Sequence, residues 1–134
     1  MASQGPFKSC DEALDYLYHF TDYERMAKPR DRATSVFGLA RMNQLLDFLG
    51  NPHQRLKAIH IAGTKGKGST AAMVASILRR AGASVGLYTS PHVLHVRERI
   101  MVDGQWIAEP RLTDHINTMY PYLQESLKTS AKYT

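Results

Sequence analysis

The segment HIAGTKGKGSTAAM, residues 60–73, constrains this chain more than any other. Residues 56–62, apolar except for Lys57 and His60, read as a buried strand. Residues 69–81 carry helical spacing, with Arg79 and Arg80 in the last turn and Gly82 just past it. Between the two, Gly63, Gly66 and Gly68 let the backbone turn sharply and approach a ligand closely. Lys65 and Lys67 lie two apart in that turn, where like charges repel; a strongly negative occupant resolves the conflict. A second short strand is expected over residues 84–89. Strand, turn, helix and strand make a βαβ unit over residues 56–89, with parallel strands and a right-handed crossover. The turn then sits at the C-terminal end of the first strand, where open α/β sheets bind ligands. The expected fold class is α/β.

The rest of the chain flanks this unit. Residues 1–9 read as a flexible leader. Residues 10–55 are expected to hold two helices. One runs over residues 11–26, with Asp11 and Glu12 in its first turn, and the other over residues 36–49. Thr34 or Ser35 can cap the second, and Gly50 with Pro52 can end it. Residues 90–99 show no clean period. Residues 100–107 read as a hairpin around Asp103-Gly104, and residues 110–127 as a helix.

The turn has the parts of a phosphate site. Loop N–H groups can form an anion-binding concavity, and the following helix adds its positive end. Lys67 supplies a mobile cation; Ser69 and Thr70 offer hydroxyls to phosphate or to phosphate-bound Mg²⁺. The bland alternative is a glycine-rich loop with surface lysines, but three glycines, a lysine and paired hydroxyls together favour phosphate. The standard P-loop pattern is not met in full. Two residues, not four, separate Gly63 from Gly66, and Gly68 stands where Ser or Thr usually follows the lysine.

Charge points the same way. The net charge is +5, and between Arg55 and Met101 eight Lys/Arg face a single acid, Glu98. An anionic ligand is favoured there. A basic nucleic-acid-binding domain is an alternative, but no aromatics interleave the bases and no nucleic-acid motif is evident, so nucleic acid is not the expected partner. The single Cys10 excludes an internal disulfide framework, and no segment approaches transmembrane length, so no membrane partner is expected. With no apolar signal core at the N-terminus, a cytoplasmic location is expected.

The strings LLDFLGNPHQRLKAIHIAGTKGKGST and GASVGLYTSPHVLHVRERIMVDGQWI resemble folylpolyglutamate synthase and the bifunctional dihydrofolate synthase, of the Mur ligase superfamily. The resemblance implies an ATP-dependent amide ligase. ATP would phosphorylate a carboxylate of folate or dihydropteroate, and the amine of L-glutamate would attack the acyl phosphate. Lys67 would be the catalytic lysine at the β- and γ-phosphates. Gly63, Thr64, Lys65, Gly66, Lys67, Gly68, Ser69 and Thr70 would form the nucleotide loop. Ser90 would bind Mg²⁺. Residues 90–99 would be a mobile substrate loop, with Pro91, His92 and Arg97 in it. The expected architecture is the N-terminal part of a P-loop, Mur ligase-like ATPase domain, residues 10–134, with an incomplete sheet. The downstream carboxylate and histidine that complete the family's metal site have no counterpart. An inactive fragment that self-associates through an open sheet edge is therefore expected. The alternative is a non-catalytic nucleotide-binding module.

Other residues read more plainly. His92 and His95, three apart, form a loop pair rather than a metal pair, since no third ligand lies in range. His60 reads as a packed strand histidine and Trp106 as hairpin packing. Arg97 and Arg99 either steer an anionic substrate or lie on a solvated face.

Overall fold

The computed structural model describes residues 5–21 and 39–130. Two compact units divide the chain: Lys57–Ala108 forms one, and the segments before and after it form the other.

In the flanking unit, helix α1 spans Cys10–Thr21. Its start is written in Ser9-Cys10-Asp11-Glu12. The Glu12 N–H donates to Ser9 Oγ at 3.2 Å, and Lys8 N–H donates to Glu12 Oε2 at 2.9 Å. Ser9 thus caps the helix by satisfying one of the N–H groups that a helix start leaves unpaired, while Glu12 reaches back past the cap to Lys8. The last residues of the predicted helix, 22–26, lie outside the described residues. So do Thr34 and Ser35. Helix α2 spans Leu39–Phe48. Gly50 takes a φ of 75°, and Asn51 N–H reaches the Leu46 carbonyl at 2.7 Å, so the chain leaves the helix where Gly50 and Pro52 predict.

The C-terminal helix of this unit runs over Glu109–Ser130, longer than the predicted 110–127, with Pro121 inside it. It packs against α1. Ala13 and Leu14 of α1 and Leu112 and Ile116 opposite are buried, and Ile116 is fully so. Burying a side chain of that size stabilises by about 1.5–3 kcal/mol. Asn117 is buried too. Its Oδ1 accepts from Phe7 N–H at 3.1 Å and its Nδ2 donates to the Phe7 carbonyl at 3.0 Å. The Phe7 ring lies 4.9 Å from Tyr16 and 5.4 Å, edge on, from Tyr120. The leader expected over residues 1–9 is therefore held at Phe7; residues 1–4 lie outside the described residues.

In the unit Lys57–Ala108, helix α3 spans Lys67–Arg80 and buries Ala75. Strand β1 is Gly86–Tyr88, β2 is Ile100–Val102 and β3 is Gln105–Trp106. They form one antiparallel sheet in the order β1-β2-β3, with Leu87 opposite Met101 and Met101 opposite Trp106. Asp103 and Gly104 turn the hairpin with φ of 50° and 81°. Positive φ at both central residues matches the twist of paired strands. The C-terminal helix of the flanking unit is called α4 below.

The predicted parallel βαβ pairing does not form. Residues 56–62 make no ladder among the described residues, and Leu56 and Ile59 are 71% and 65% exposed, so the buried strand expected there is absent. The second expected strand is present as β1, but its partner is β2. That β1–β2 pairing is held locally, by a carboxylate at the hairpin turn that clamps the start of β1. Asp103 Oδ1 accepts from Val85 N–H at 2.7 Å, Oδ2 from Ser84 Oγ at 2.9 Å, and Asp103 N–H donates to the Val85 carbonyl.

Candidate phosphate-binding site

The glycine turn is built on two unusual backbone conformations. Gly63 has a φ of 152° and Gly66 a φ of 75°. Gly66 is the N-cap of α3, in the left-handed region, and no side chain caps the helix. Glycine is the residue that adopts such a conformation without steric cost. The helix therefore begins at Lys67, two residues earlier than the periodicity predicts, and Gly68, Ser69 and Thr70 lie in its first turn. Gly68 is a helical glycine, and a Cβ there would meet nothing within 4 Å. Its lack of a side chain serves no contact in this unit; it leaves open space over the helix N-terminus.

Lys67 folds back over the turn. Its Nζ donates to the Gly63 carbonyl at 2.7 Å and lies 3.5 Å from that of Thr64. Thr70 Oγ1 donates to the Gly66 carbonyl at 3.0 Å. Its hydroxyl hydrogen is thus committed to the helix, whereas Ser69 is exposed at the helix start. Thr64 and Lys65 are exposed at the bend. One lysine, the glycine turn and an uncapped helix N-terminus thus come together on an exposed surface. The arrangement suits an anion.

The 90–99 loop leaves β1 through Thr89 and is ordered by Glu98. This carboxylate accepts from Val93 N–H at 2.8 Å, Leu94 N–H at 3.0 Å and His95 N–H at 3.0 Å. These bonds, that from Val93 first, hold the Glu98 carboxyl below its ordinary pKa. His95 caps a 3₁₀ turn over Val96–Arg99, its Nδ1 accepting from Arg97 N–H at 3.1 Å. Arg97 Nε donates to the Ile107 carbonyl at 2.7 Å, which ties this candidate substrate residue to the hairpin. Arg99 Nε donates to Nδ1 of His92 at 2.8 Å. Ser90 and Pro91 are exposed, beyond β1. Among the described residues no hydrogen bond joins this loop to the glycine turn.

Periodicity and motif spacing missed Glu98 and Asp103 as organisers. Asp103 is likewise held below its ordinary pKa, by the Val85 N–H first, then Ser84 and the charge of Arg79. For Glu98 a signal existed: His95 three residues before a glutamate is a variant of the capping-box spacing. No group of three His, Cys, Asp or Glu suited to a metal occurs among the described residues. Among the described residues, the groups that could meet a phosphate-bound Mg²⁺ are therefore hydroxyls, and Ser69 and Ser90 are both exposed. Among the described residues, no helix is long and apolar enough to cross a membrane.

No protein-family model matches the chain. Individual proteins do. Over 114 residues, 85% of the chain, it is 41% identical to a probable bifunctional folylpolyglutamate synthase/dihydropteroate synthase of Haloferax volcanii, of which it covers 12%. Over 87 residues, 65% of the chain, it is 45% identical to a dihydrofolate synthase/folylpolyglutamate synthase of Bacillus subtilis, of which it covers 20%. The fold matches that of a solved folylpolyglutamate synthase complex with AMPPCP and folate, with a TM-score of 0.73 at 32% identity, over 93% of this chain and 28% of that one. The chain spans at most a fifth of the length of these two curated relatives.

Proposed function

We infer that this chain, which sequence and fold relate to the folylpolyglutamate synthase and dihydrofolate synthase family, carries the nucleotide-phosphate site of an ATP-dependent amide ligase. The ligase joins L-glutamate to folate or dihydropteroate. Residues 10–134 act as part of its ATP-binding domain. The observation that carries this reading is Lys67: it stands first in α3 and its Nζ reaches 2.7 Å from the Gly63 carbonyl across a left-handed glycine turn.

In this reading the β- and γ-phosphates lie over the N-terminus of α3. The N–H groups of the turn, from Gly63 to Ser69, and the helix dipole hold them in place. Gly68 lets them approach. Lys67 exchanges its carbonyl partners for phosphate oxygens and neutralises charge as the γ-phosphoryl passes to a substrate carboxylate. The amine of L-glutamate then attacks that acyl phosphate, forming the amide and releasing phosphate. Mg²⁺, when bound, would supply further neutralisation of phosphate charge. Ser90 and the first-turn hydroxyl of Ser69 are this chain's groups toward it. Pro91, His92 and Arg97 belong to the loop that meets the pterin substrate. A cytoplasmic enzyme without nucleic-acid or membrane partners fits this chemistry.

Calorimetry tests the phosphate site directly. Lys67→Ala is expected to weaken ATP binding by about 1.5–3 kcal/mol, the scale of a charge-assisted hydrogen bond. Equal ATP affinity in variant and wild type would remove Lys67 from the site.

A further inference from the structure

We propose that Arg79 is a positioning residue: seated on Gly104, it fixes the tilt of α3 against the sheet, and through that tilt the spacing between the phosphate turn at Lys67 and the 90–99 loop. Its meaning for catalysis rests on the ligase reading above; the mechanical joint does not. Gly104 leaves room for the seat. A Cβ there would meet the Arg79 guanidinium, with Cζ at 2.7 Å, Nη2 at 3.0 Å and Nη1 closer still. The planar group thus lies against the bare Cα of the hairpin turn, and any side chain at Gly104 would unseat it. The main chain of Arg79 is fixed as well. Its carbonyl accepts from Gly82 N–H at 3.0 Å, and the Leu78 carbonyl accepts from Ala83 N–H at 3.0 Å, so the helix stops firmly. Arg79, Gly82, Ala83, Ser84 and Asp103 line one cleft between the helix end and the hairpin.

The joint lies at the end of the unit away from the chemistry. Residues 81–85 return the chain alongside α3, and the hairpin turn faces Val85, at the start of β1. The 90–99 loop leaves the other end of β1, where Thr89 N–H donates to the Arg99 carbonyl at 3.0 Å. That loop moves with the hairpin, because Arg97 Nε is bonded to the Ile107 carbonyl and Ile107 N–H to the Ile100 carbonyl. α3 packs against β1, and Ala71, Val74, Ala75 and Leu78, at helical spacing, are its positions withdrawn from solvent. Its first turn, Lys67–Thr70, is exposed throughout. The helix is therefore a lever about 18 Å long from Arg79 to Lys67, and a tilt of about 10° over that length moves Lys67 by about 3 Å. Phosphoryl transfer needs its reacting atoms within about 3–3.5 Å, so a displacement of that size is costly. Arg79 itself touches no reacting atom.

Spin labels at Ala72→Cys in α3 and Leu94→Cys in the loop, both exposed positions, read this spacing in the full chain by pulsed dipolar spectroscopy; Cys10 is buried. The otherwise unchanged chain is expected to give one narrow distance distribution. Arg79→Ala is expected to broaden it with helix content unchanged. Arg79→Lys keeps the charge and loses the plane; the same broadening is expected, and it serves should Arg79→Ala not fold. Asparagine takes positive φ more readily than most residues with a Cβ, so Gly104→Asn retains the turn and unseats the guanidinium, again broadening the distribution. Arg79→Ala and Gly104→Asn together are expected to do no more than either alone, because both remove one contact. A distribution that none of the single variants changes overturns the proposal, and so does a double variant whose broadening is the sum of the two. ATP affinity by calorimetry is expected to stay within about 2-fold of wild type in the Arg79 variants, since the phosphate turn lies well beyond about 7–10 Å from the change. A larger loss would put Arg79 in the phosphate site itself and overturn the positioning role. Wild-type chain that binds no ATP removes the ligase reading, and the catalytic meaning of the joint with it, while the distance result stands.

Discussion

The Nζ of Lys67 lies 2.7 Å from the carbonyl oxygen of Gly63, four residues back and across the turn that opens α3. A lysine at the first helical position would otherwise face the positive end of the helix dipole, an unfavourable place for a cation. Backbone carbonyls of the turn offset that repulsion, and an anion at the same point would offset it further. The glycines on either side of Lys67 play different parts in this, and their substitutions separate conformation from access.

Gly66→Ala and Gly68→Ala are expected to move stability in opposite directions. At Gly66 the φ of 75° is costly for any residue with a Cβ. The loss is about 1–2 kcal/mol. Gly68 is helical with open space around its Cβ position, so alanine there should stabilise by roughly 0.8–1.0 kcal/mol. On the proposed phosphate reading its methyl group would nonetheless intrude on the anion's approach, weakening ATP binding. Thermal melts paired with ATP titrations check both. A Gly68→Ala chain that binds ATP as tightly as wild type removes close approach as the reason for that glycine.

Asn117→Ala should destabilise the flanking unit by about 1–3 kcal/mol. Its amide, 6% exposed, is bonded to both the N–H and the carbonyl of Phe7, and both lose a partner together. Near-UV circular dichroism should report the loosening, because Phe7, Tyr16 and Tyr120 form one ring cluster. An unchanged melting temperature and spectrum would mean that the leader is held without Asn117.

How much of this the sequence carries depends on the range of each interaction. The helices, the glycine turn and the Asp103-Gly104 hairpin announce themselves within a few residues, by period or by conformational need. Gly50 and Pro52 likewise mark an end that the chain itself imposes. Residues 56–62 fail as a strand because a strand is defined by its partner, and an apolar run specifies none. Pairing between β1 and β2 is instead settled by Asp103, whose carboxylate looks in sequence like an ordinary turn residue. Asn117 is hidden for a similar reason. It bonds to a residue 110 positions away, and nothing in α4 distinguishes it from a solvated polar position. At the candidate site, Lys67 and its glycines are legible because the turn and the Lys67–Gly63 contact lie within four residues. The Arg99–His92 contact is not, since it depends on a carboxylate folding the loop between them.

Glu98 should give the loop a pH dependence on the acid side. Its folded pKa is lowered, by the Val93 N–H first and then those of His95 and Leu94. A lowered carboxyl pKa contributes order that is complete above the unfolded-state value and is lost as pH falls through the folded one. The amide resonances of Val93, Leu94 and His95 should therefore titrate together, with a midpoint below that of an ordinary glutamate. Glu98→Gln should abolish that shared transition. A midpoint at or above the ordinary value would mean that the three N–H groups do not favour the carboxylate.

The edge of β1 away from β2 should make the chain self-associate. Thr89 N–H and the Val85 carbonyl bond across to β2-side residues, so by alternation the N–H and carbonyl groups of Gly86 and Tyr88 point to the other edge. No strand pairs with that edge among the described residues. Tyr88 is 68% exposed and Val102, on the same sheet face, 52% exposed. An unpaired edge beside apolar side chains is a template for another chain. Sizing with light scattering across a concentration series should show a dimer or larger species at high concentration. Tyr88→Lys sets a charge on the edge strand and should shift the distribution to monomer without loss of helix content. A wild-type chain that stays monomeric throughout would show that the β1 edge is protected, and a dimer indifferent to Tyr88→Lys would place the contact elsewhere.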